Sequence, residues 1–513
     1  MSLLRTLVLC AATVAGTFST TGQTQSSSRG DSTPPPRLKA AGQTFAIIPT
    51  VGMPSAHTRT GQMINRVWGD LKSTVILLED GDRRMVFMTS ALSVEWDPNQ
   101  SACRAVIAEA LHIPPESVVI NSAHNHSVPK LEIDQPGQPP KPVGDKRSKA
   151  LGDEFLAKLR EAALSLPAKL EPVVVKYGVG HEDRVTYNRR GYREGGTTYF
   201  IRDEDRVLLP PNYKGLIDTD ATVVLFEGKK GPVACLARYT GHPVTSYKPE
   251  DPTTYGDWPQ VACEKLSAHL GGIPVGFVQG CCGDINSKYM FSGTLEQSKE
   301  LGGYLGDSFI EATKILKTSK RDGFQLRRQV VDVPYAPLPP RADIERDLAS
   351  IDDFIKRANA GDENTLYCVG MNFPKALTPK YRATLIDGVR PWYVWALEQY
   401  DQGKANQVAK AMPLEIVVAR FGDVGFAGMP AETFVRTGFK IKYGADLPCV
   451  LASGYTGVIY GYIPDATACD DREYMGGFFR YRQNVPPYQA PGADAMADAA
   501  IVILNDFAKI SQK

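Results

Sequence analysis

"PESVVINSAHNHSVP" runs from Pro115 to Pro129. It reads as a strand that ends in a polar loop. Val118, Val119 and Ile120 are β-branched, and Asn121, Ser122 and a closely spaced histidine pair follow. The chain holds 7 histidines, so this loop concentrates a scarce residue. If strand geometry continues past Ile120, the imidazoles of His124 and His126 point to one face, which suits metal binding. Taken alone, an HxH pair is more often an ordinary polar loop than a metal site.

The same order of strand, then polar loop, recurs on either side. "STVILLED" and "GDRRMVFMTSAL" read as two strands joined by a Gly-containing turn. "SACRAVIAEALH" and "GDEFLAKLREAALSL" have helical apolar spacing. "EPVVVKYGVGHE", "TDATVVLFEG", "GPVACLARYTGHP" and "IPVGFVQG" are strand-like, with the helix "WPQVACEKLSAHL" among them. A long helix follows at "TLEQSKELGGYLGDSFIEATKIL" and a strand at "FQLRRQVVDVPY". Residues 341–412 read as a polar helical insertion. The strand pair "LEIVVARFGDVGFAGMP" leads into the helix "AETFVRTGFKIKYG", then the strand "PCVLASGY" and a last helix from about Ala493. This alternation predicts an α/β fold, with α+β as the other arrangement: mixed β-sheets flanked by helices in one large domain.

Composition sets the outer limits. At 43% hydrophobic and 22% charged residues the chain has ample material for a core. A formal charge of +1, with no basic run, argues against a nucleic-acid partner. Arg5 followed by "TLVLCAATVAG" reads as an export signal over residues 1–23, because the apolar stretch is too short for a comfortable span. Residues 24–43 read as a flexible Ser/Pro-rich leader, and the fold is expected over 44–513. The mature chain is then secreted or periplasmic, with no transmembrane segment; its oligomeric state is not legible. Cys103, Cys235, Cys263, Cys281, Cys282, Cys368, Cys449 and Cys469 remain after the signal, which permits disulfides without fixing a pattern.

Further polar residues follow the other strands. "YTGHPVTSY" carries His242, and "GMPAETF" puts Glu432 at a strand-to-helix turn. "VQGCCGDINSKY" holds Cys281, Cys282, Asp284 and Asn286, with the adjacent cysteines read as small residues packed beneath the loop. "YNRRGY" offers Arg189 and Arg190, and "GYTGVIYGYIPD" sets Tyr455, Tyr460 and Tyr462 among glycines.

In this order the segments resemble the neutral/alkaline ceramidase family, zinc amidases that cleave the N-acyl bond of ceramide. "HNHSVP", "GHPVTSY", "GDWPQVACEKL", "QGCCGDIN", "MPAE", "YGYIP" and "YMGG" carry the resemblance, from about Thr44 to Gly477. The resemblance implies a Zn2+ site made of His124, His242, Glu432 and Tyr462. His126 would sit beside the ion or face the substrate, Arg189 would act at the reacting carbonyl, and Tyr474 would be a second active-site tyrosine. Two histidines and a carboxylate leave zinc positive with an open position, and zinc activates bound water.

The departures from the family pattern matter. Asn286 stands where the family has a serine, with Ser287 next in line. An amide is neither nucleophile nor base, so attack by zinc-activated water is expected, with Asn286 orienting or recognising substrate. Candidate general bases are His126, Asp257 and Asp284. Val128 replaces a glycine and is expected to reshape the pocket mouth. "TSALSV" lacks the family's aspartate, and the appended C-terminal β-sandwich is not expected in this chain. The implied function is an exported zinc hydrolase of a ceramide-like N-acyl amide, taking a small-molecule or lipid substrate. The alternatives are a divergent hydrolase of a non-lipid amide, ester or glycosidic bond, and a non-catalytic zinc-containing binding protein.

Overall fold

Strand Leu71–Asp80 has apolar side chains on both faces, Val75 and Leu77 on one and Ile76 and Leu78 on the other. A period of two with both sets buried requires cover on both sides. The computed structural model, which describes residues 36–57, 61–192, 198–201, 213–291, 293–466, 473–481 and 484–510, provides that cover.

Three sheets dominate the described residues. The first runs in the order Val118–Ser122, Arg83–Ser90, Leu71–Asp80, Leu38–Ile47, Glu171–Pro172. The second runs Val275–Gln279, Gly231–Tyr239, Asp220–Gly228, Val174–His181, Lys317–Thr318. The third runs Phe324–Pro334, Ala411–Phe421, Val424–Gly428, Cys449–Ser453. Ile76, Phe87 and Val119 of the first sheet share a core with Phe226 and Leu236 of the second and Phe426 and Leu451 of the third. The outer faces carry the helices. Asn99–Leu111 and Lys146–Ser165 cover the first sheet, Asp257–His269 and Leu295–Thr313 the second. The mixed sheets flanked by helices match the expected class. No described helix is long and apolar enough to cross a membrane.

Two boundaries differ from the sequence reading. Strand Leu38–Ile47 pairs with Leu71–Asp80 along its whole length, so the first sheet takes in residues ahead of Thr44. Ala40, Ala41 and Gly42 hid this strand, because small residues give little alternation to read. The signal, Cys10 and the leader up to residue 35 lie outside the described residues, as does Cys469. Second, the helix after "GMPAETF" starts at Val435, not at Ala431. Glu432 therefore sits outside it, in a backbone bridge with Tyr462.

The helical block lies between two strands that pair along their full length, Phe324–Pro334 and Ala411–Phe421. It comprises Arg341–Asn359, Pro379–Asp387 and Arg390–Asp401, with a small hairpin at Tyr367–Cys368 and Met371–Asn372. Ile344, Ile351, Phe354, Trp392 and Tyr393 pack it onto the third sheet.

Each sheet contributes one parallel pair: Arg83–Ser90 with Val118–Ser122, Gly231–Tyr239 with Val275–Gln279, and Val424–Gly428 with Cys449–Ser453. Side chains tie the ends of these pairs together. Asn121 Nδ2 donates to Ser453 Oγ and to the Gly454 carbonyl, each at 2.9 Å. Asn121 Oδ1 accepts the Gln279 N–H at 2.8 Å, and Ser453 Oγ donates to the Gln279 carbonyl at 2.6 Å. All three residues are fully buried. Asn121→Ala is expected to orphan the Gln279 N–H and to lower unfolding free energy by about 1–3 kcal/mol. Urea denaturation of the variant beside the parent checks this, and an unchanged midpoint would refute the hub's role.

Candidate metal centre

The carboxyl ends of the three parallel pairs converge, the usual place for a ligand in sheets with parallel strands. Strand Arg83–Ser90 leads to Glu95, and Val118–Ser122 to His124 and His126. Gly231–Tyr239 leads to His242, and Val275–Gln279 to Asp284 and Asn286. Val424–Gly428 leads to Glu432, and Cys449–Ser453 to Tyr455. The turns are tight. His124, Asp257 and Tyr455 take left-handed φ values of 57°, 53° and 52°, a conformation costly for side-chain-bearing residues and concentrated at functional sites. A Cβ on Gly283 would stand 2.4 Å from the Glu432 carbonyl, so only glycine lets the "QGCCGD" loop pass that close.

Nitrogen and oxygen donors meet at the centre of these turns. His124 Nε2 lies 3.3 Å from His126 Nε2 and 3.3 Å from Glu432 Oε2. His242 Nε2 is also 3.3 Å from Glu432 Oε2. One donor atom from each of His124, His126 and His242 falls within 4.8 Å of the others. A tetrahedron with ligands about 2.0–2.1 Å from its centre has edges of about 3.3 Å, so this spacing suits zinc. The remaining ring nitrogens are held from outside. His124 Nδ1 pairs with Glu95 Oε1 at 2.8 Å, and His242 Nδ1 with the Ile285 carbonyl at 3.0 Å. Such partners fix the tautomer that leaves Nε2 free for an ion.

Charge fits the same reading. Burial alone would lower the His124 imidazole, but the Glu432 and Glu95 carboxylates outweigh it and raise it to about 9. Burial would raise Glu432, yet His124 and His242 hold it well below the carboxylate range. Two carboxylates that favour a proton on His124 equally favour a divalent cation there. Burial lowers His242 to about 4, helped by the Arg189 charge, and pushes His126 well below its ordinary value, so both imidazoles are neutral at neutral pH.

Arg189 closes one side. Its Nη2 donates to the Tyr462 hydroxyl at 2.6 Å and to the Gly283 carbonyl, and its Nη1 donates to Asn286 Oδ1 at 3.1 Å. Tyr474 packs edge-on against Tyr462 at 5.6 Å. Above these groups opens a cavity of about 430 Å³, within the range of small-molecule sites. His124, His126, Arg189, Asn286, Glu432 and Tyr462 form its floor. Met371, Phe373, Leu377, Tyr381 and Leu385 of the helical block form an apolar wall, facing Met290, Phe291 and Phe478.

Solved structures share this architecture. A structure titled "Ceramidase complexed with C2" is 15% identical, with a TM-score of 0.61 over 93% of this chain and 76% of that one. The neutral ceramidase from Pseudomonas aeruginosa is 14% identical, with a TM-score of 0.58 over 92% of this chain and 75% of that one. The fold is neutral ceramidase-like. No protein-family model matches the chain, and no curated protein matches it.

Within this ceramidase-like frame, His124, His126, Glu432, Arg189, Asn286, Tyr462 and Tyr474 line one cavity, and His242 is buried beside them in the histidine group. The structure gives several of these and the other expected positions their partners. His126 Nε2 lies 3.3 Å from His124 Nε2 and lines the cavity, so it stands beside the donor group and faces the substrate space. The Tyr462 hydroxyl accepts from Arg189 and faces the cavity beside Glu432, and a second phenol, that of Tyr455, stands 3.5 Å from Glu432 Oε2. Asp257 is not a cavity residue. Its carboxylate accepts the N–H groups of Thr245, Ser246 and Trp258, fixing the loop after His242. Asp284 likewise accepts from the Val435 N–H and Asn188 Nδ2. Both carboxylates are consumed by structure and are not candidate bases. Ser287 Oγ donates to the Tyr289 carbonyl outside the cavity, so it does not replace Asn286. Val128 is buried in the first sheet's core and reshapes no pocket mouth.

Two residues at the site escaped the sequence reading. Glu95 supplies a carboxylate to His124 from just beyond "TSALSV"; an acid soon after the end of an apolar strand was the available signal. His57 stacks on His126 at 4.2 Å and its Nε2 meets Ser93 Oγ at 2.6 Å. No motif surrounds His57 in sequence.

Proposed function

We propose that this chain is an exported zinc-dependent hydrolase that cleaves an N-acyl amide with an apolar acyl group. One observation carries the reading: His124, His126 and Glu432, which converge with the buried His242, line the same cavity as a set of apolar and aromatic side chains. A neutral ceramidase-like fold supports the amide as the bond and ceramide as one candidate substrate. A polar substrate would be poorly served by Phe373, Leu377 and Leu385.

His124, His242 and Glu432 would hold the ion, with Glu95 orienting His124. When bound, zinc supplies Lewis acidity that polarises a carbonyl and eases ionisation of water. His126, neutral because of its burial, accepts a proton at Nε2 from the attacking water and returns it to the leaving amine. Arg189 and Tyr462 donate to the carbonyl oxygen as negative charge develops. Asn286, held by Arg189, recognises the amide instead of attacking it. The aromatic wall takes the acyl chain and excludes water.

The test is release of fatty acid from N-acylsphingosines and single-chain N-acyl amines of varied acyl length, using the zinc-loaded chain. Hydrolysis that favours apolar acyl groups, stops with a chelator and returns with zinc is expected. No release from any substrate would sink the hydrolase reading and leave the binding-protein alternative. Asn286→Ser, run alongside, reports whether a serine there adds to or merely replaces the amide's role.

A further inference from the structure

Tyr455 is a fully buried phenol whose hydroxyl contacts all lead to the metal centre or its supporting loop. The Cys282 thiol donates to it at 3.2 Å. The hydroxyl stands 3.5 Å from Glu432 Oε2 and 3.4 Å from His242 Nε2. The Tyr455 ring lies over the His124 ring, with centroids 4.5 Å apart at 30°. One side chain therefore touches three of the groups that would hold the ion.

The backbone is pinned to the same groups. The Tyr455 N–H donates to the carbonyl of Ala431, next to Glu432, at 3.2 Å. The Tyr455 carbonyl accepts the Ser122 N–H at 3.1 Å, just before His124. Its φ of 52° is the left-handed conformation that glycine takes freely and a bulky aromatic does not. An aromatic residue held there against that preference indicates that its side chain is needed at the position.

The thiol gives the phenol its polarity. A hydroxyl has one proton to donate, and Cys282 occupies a lone pair on the Tyr455 oxygen. The phenol proton is then directed at Glu432 or His242. Once the His242 Nε2 lone pair is given to an ion, Glu432 Oε2 is the acceptor left. A hydrogen bond to one lone pair of that oxygen leaves the other aimed at the centre. We propose that Tyr455, braced by Cys282, is a positioning residue that holds Glu432 and His124 in ion-binding geometry. This rests on the metal-dependent reading above.

The test is zinc binding by the full-length chain, measured by competition with a chromophoric chelator, with no substrate present. Tyr455→Phe keeps the ring on His124 and removes only the hydroxyl. It is expected to weaken zinc binding about 10–100-fold, in the range of other partners that orient metal ligands. The thermal midpoint of the chelator-stripped protein should move by less than about 4 °C. Cys282→Ser, which retains a donor, should bind zinc more tightly than Cys282→Ala. Zinc affinity unchanged in Tyr455→Phe overturns the proposal, as does a zinc defect matched by general loss of folding. Equal affinities for the two Cys282 variants overturn the brace. A parent chain that takes up no zinc overturns the metal-dependent reading itself, a result distinct from either.

Discussion

Glu432→Gln is expected to strip zinc from the protein and with it nearly all turnover. Glu432 Oε2 is the atom shared by His124 and His242, 3.3 Å from the Nε2 of each. The amide keeps the shape of the side chain and removes the negative charge that stabilises a cation between neutral imidazoles. Loss of Lewis-acid stabilisation worth several kcal/mol corresponds to a rate decrease of about 10³-fold or more. Metal content per chain after dialysis, with the rate at saturating N-acyl substrate, measures both effects. Burial of Glu432 makes misfolding a competing explanation, so circular dichroism of the variant is part of the experiment. A variant that keeps stoichiometric zinc and parental turnover would remove Glu432 from the centre's chemistry.

His126→Ala is expected to lower turnover by about 10²–10⁴-fold while zinc stays bound. The sequence offered three bases: His126, Asp257 and Asp284. The latter two carboxylates are occupied by backbone N–H groups and do not face the cavity. His126 does face it, neutral and stacked on His57. Partial recovery of turnover with added imidazole would support proton transfer at this position. The metal assay decides the competing role. His126 Nε2 is 3.3 Å from His124 Nε2, so loss of zinc together with turnover would make His126 the fourth ligand instead.

The helical block adds something to the site that its composition conceals. Read along the chain it is a polar insertion, and most of its outward surface is polar. Met371, Phe373, Leu377, Tyr381 and Leu385 face the cavity from between its long helices. They fall in a short hairpin, the segment that follows it and a short helix, where no sustained period marks them as a face. Their effect on substrate choice depends on the third sheet holding the block against the metal centre.

The elements are legible along the chain, because strand and helix leave their periods in the apolar residues. So is the clustering of polar residues where strands end, at "NSAHNHSVP", "GHPVTSY", "QGCCGDIN" and "GMPAETF". Which of these residues share a space depends on how the sheets pack. His124 and Glu95 are separated along the chain yet joined at 2.8 Å, because parallel strands carry both to the same end of the first sheet. Asp257 and Asp284 looked like His126 in sequence and differ from it in direction, since a carboxylate's role depends on which N–H groups surround it. Tyr455 and Tyr462 lie in the same Gly/Tyr loop, and the turn between them sends one hydroxyl to Glu432 and the other to Arg189. Contacts between residues far apart in the chain have no local signature. They arise when three sheets bury their inner faces on one another and bring their strand ends together.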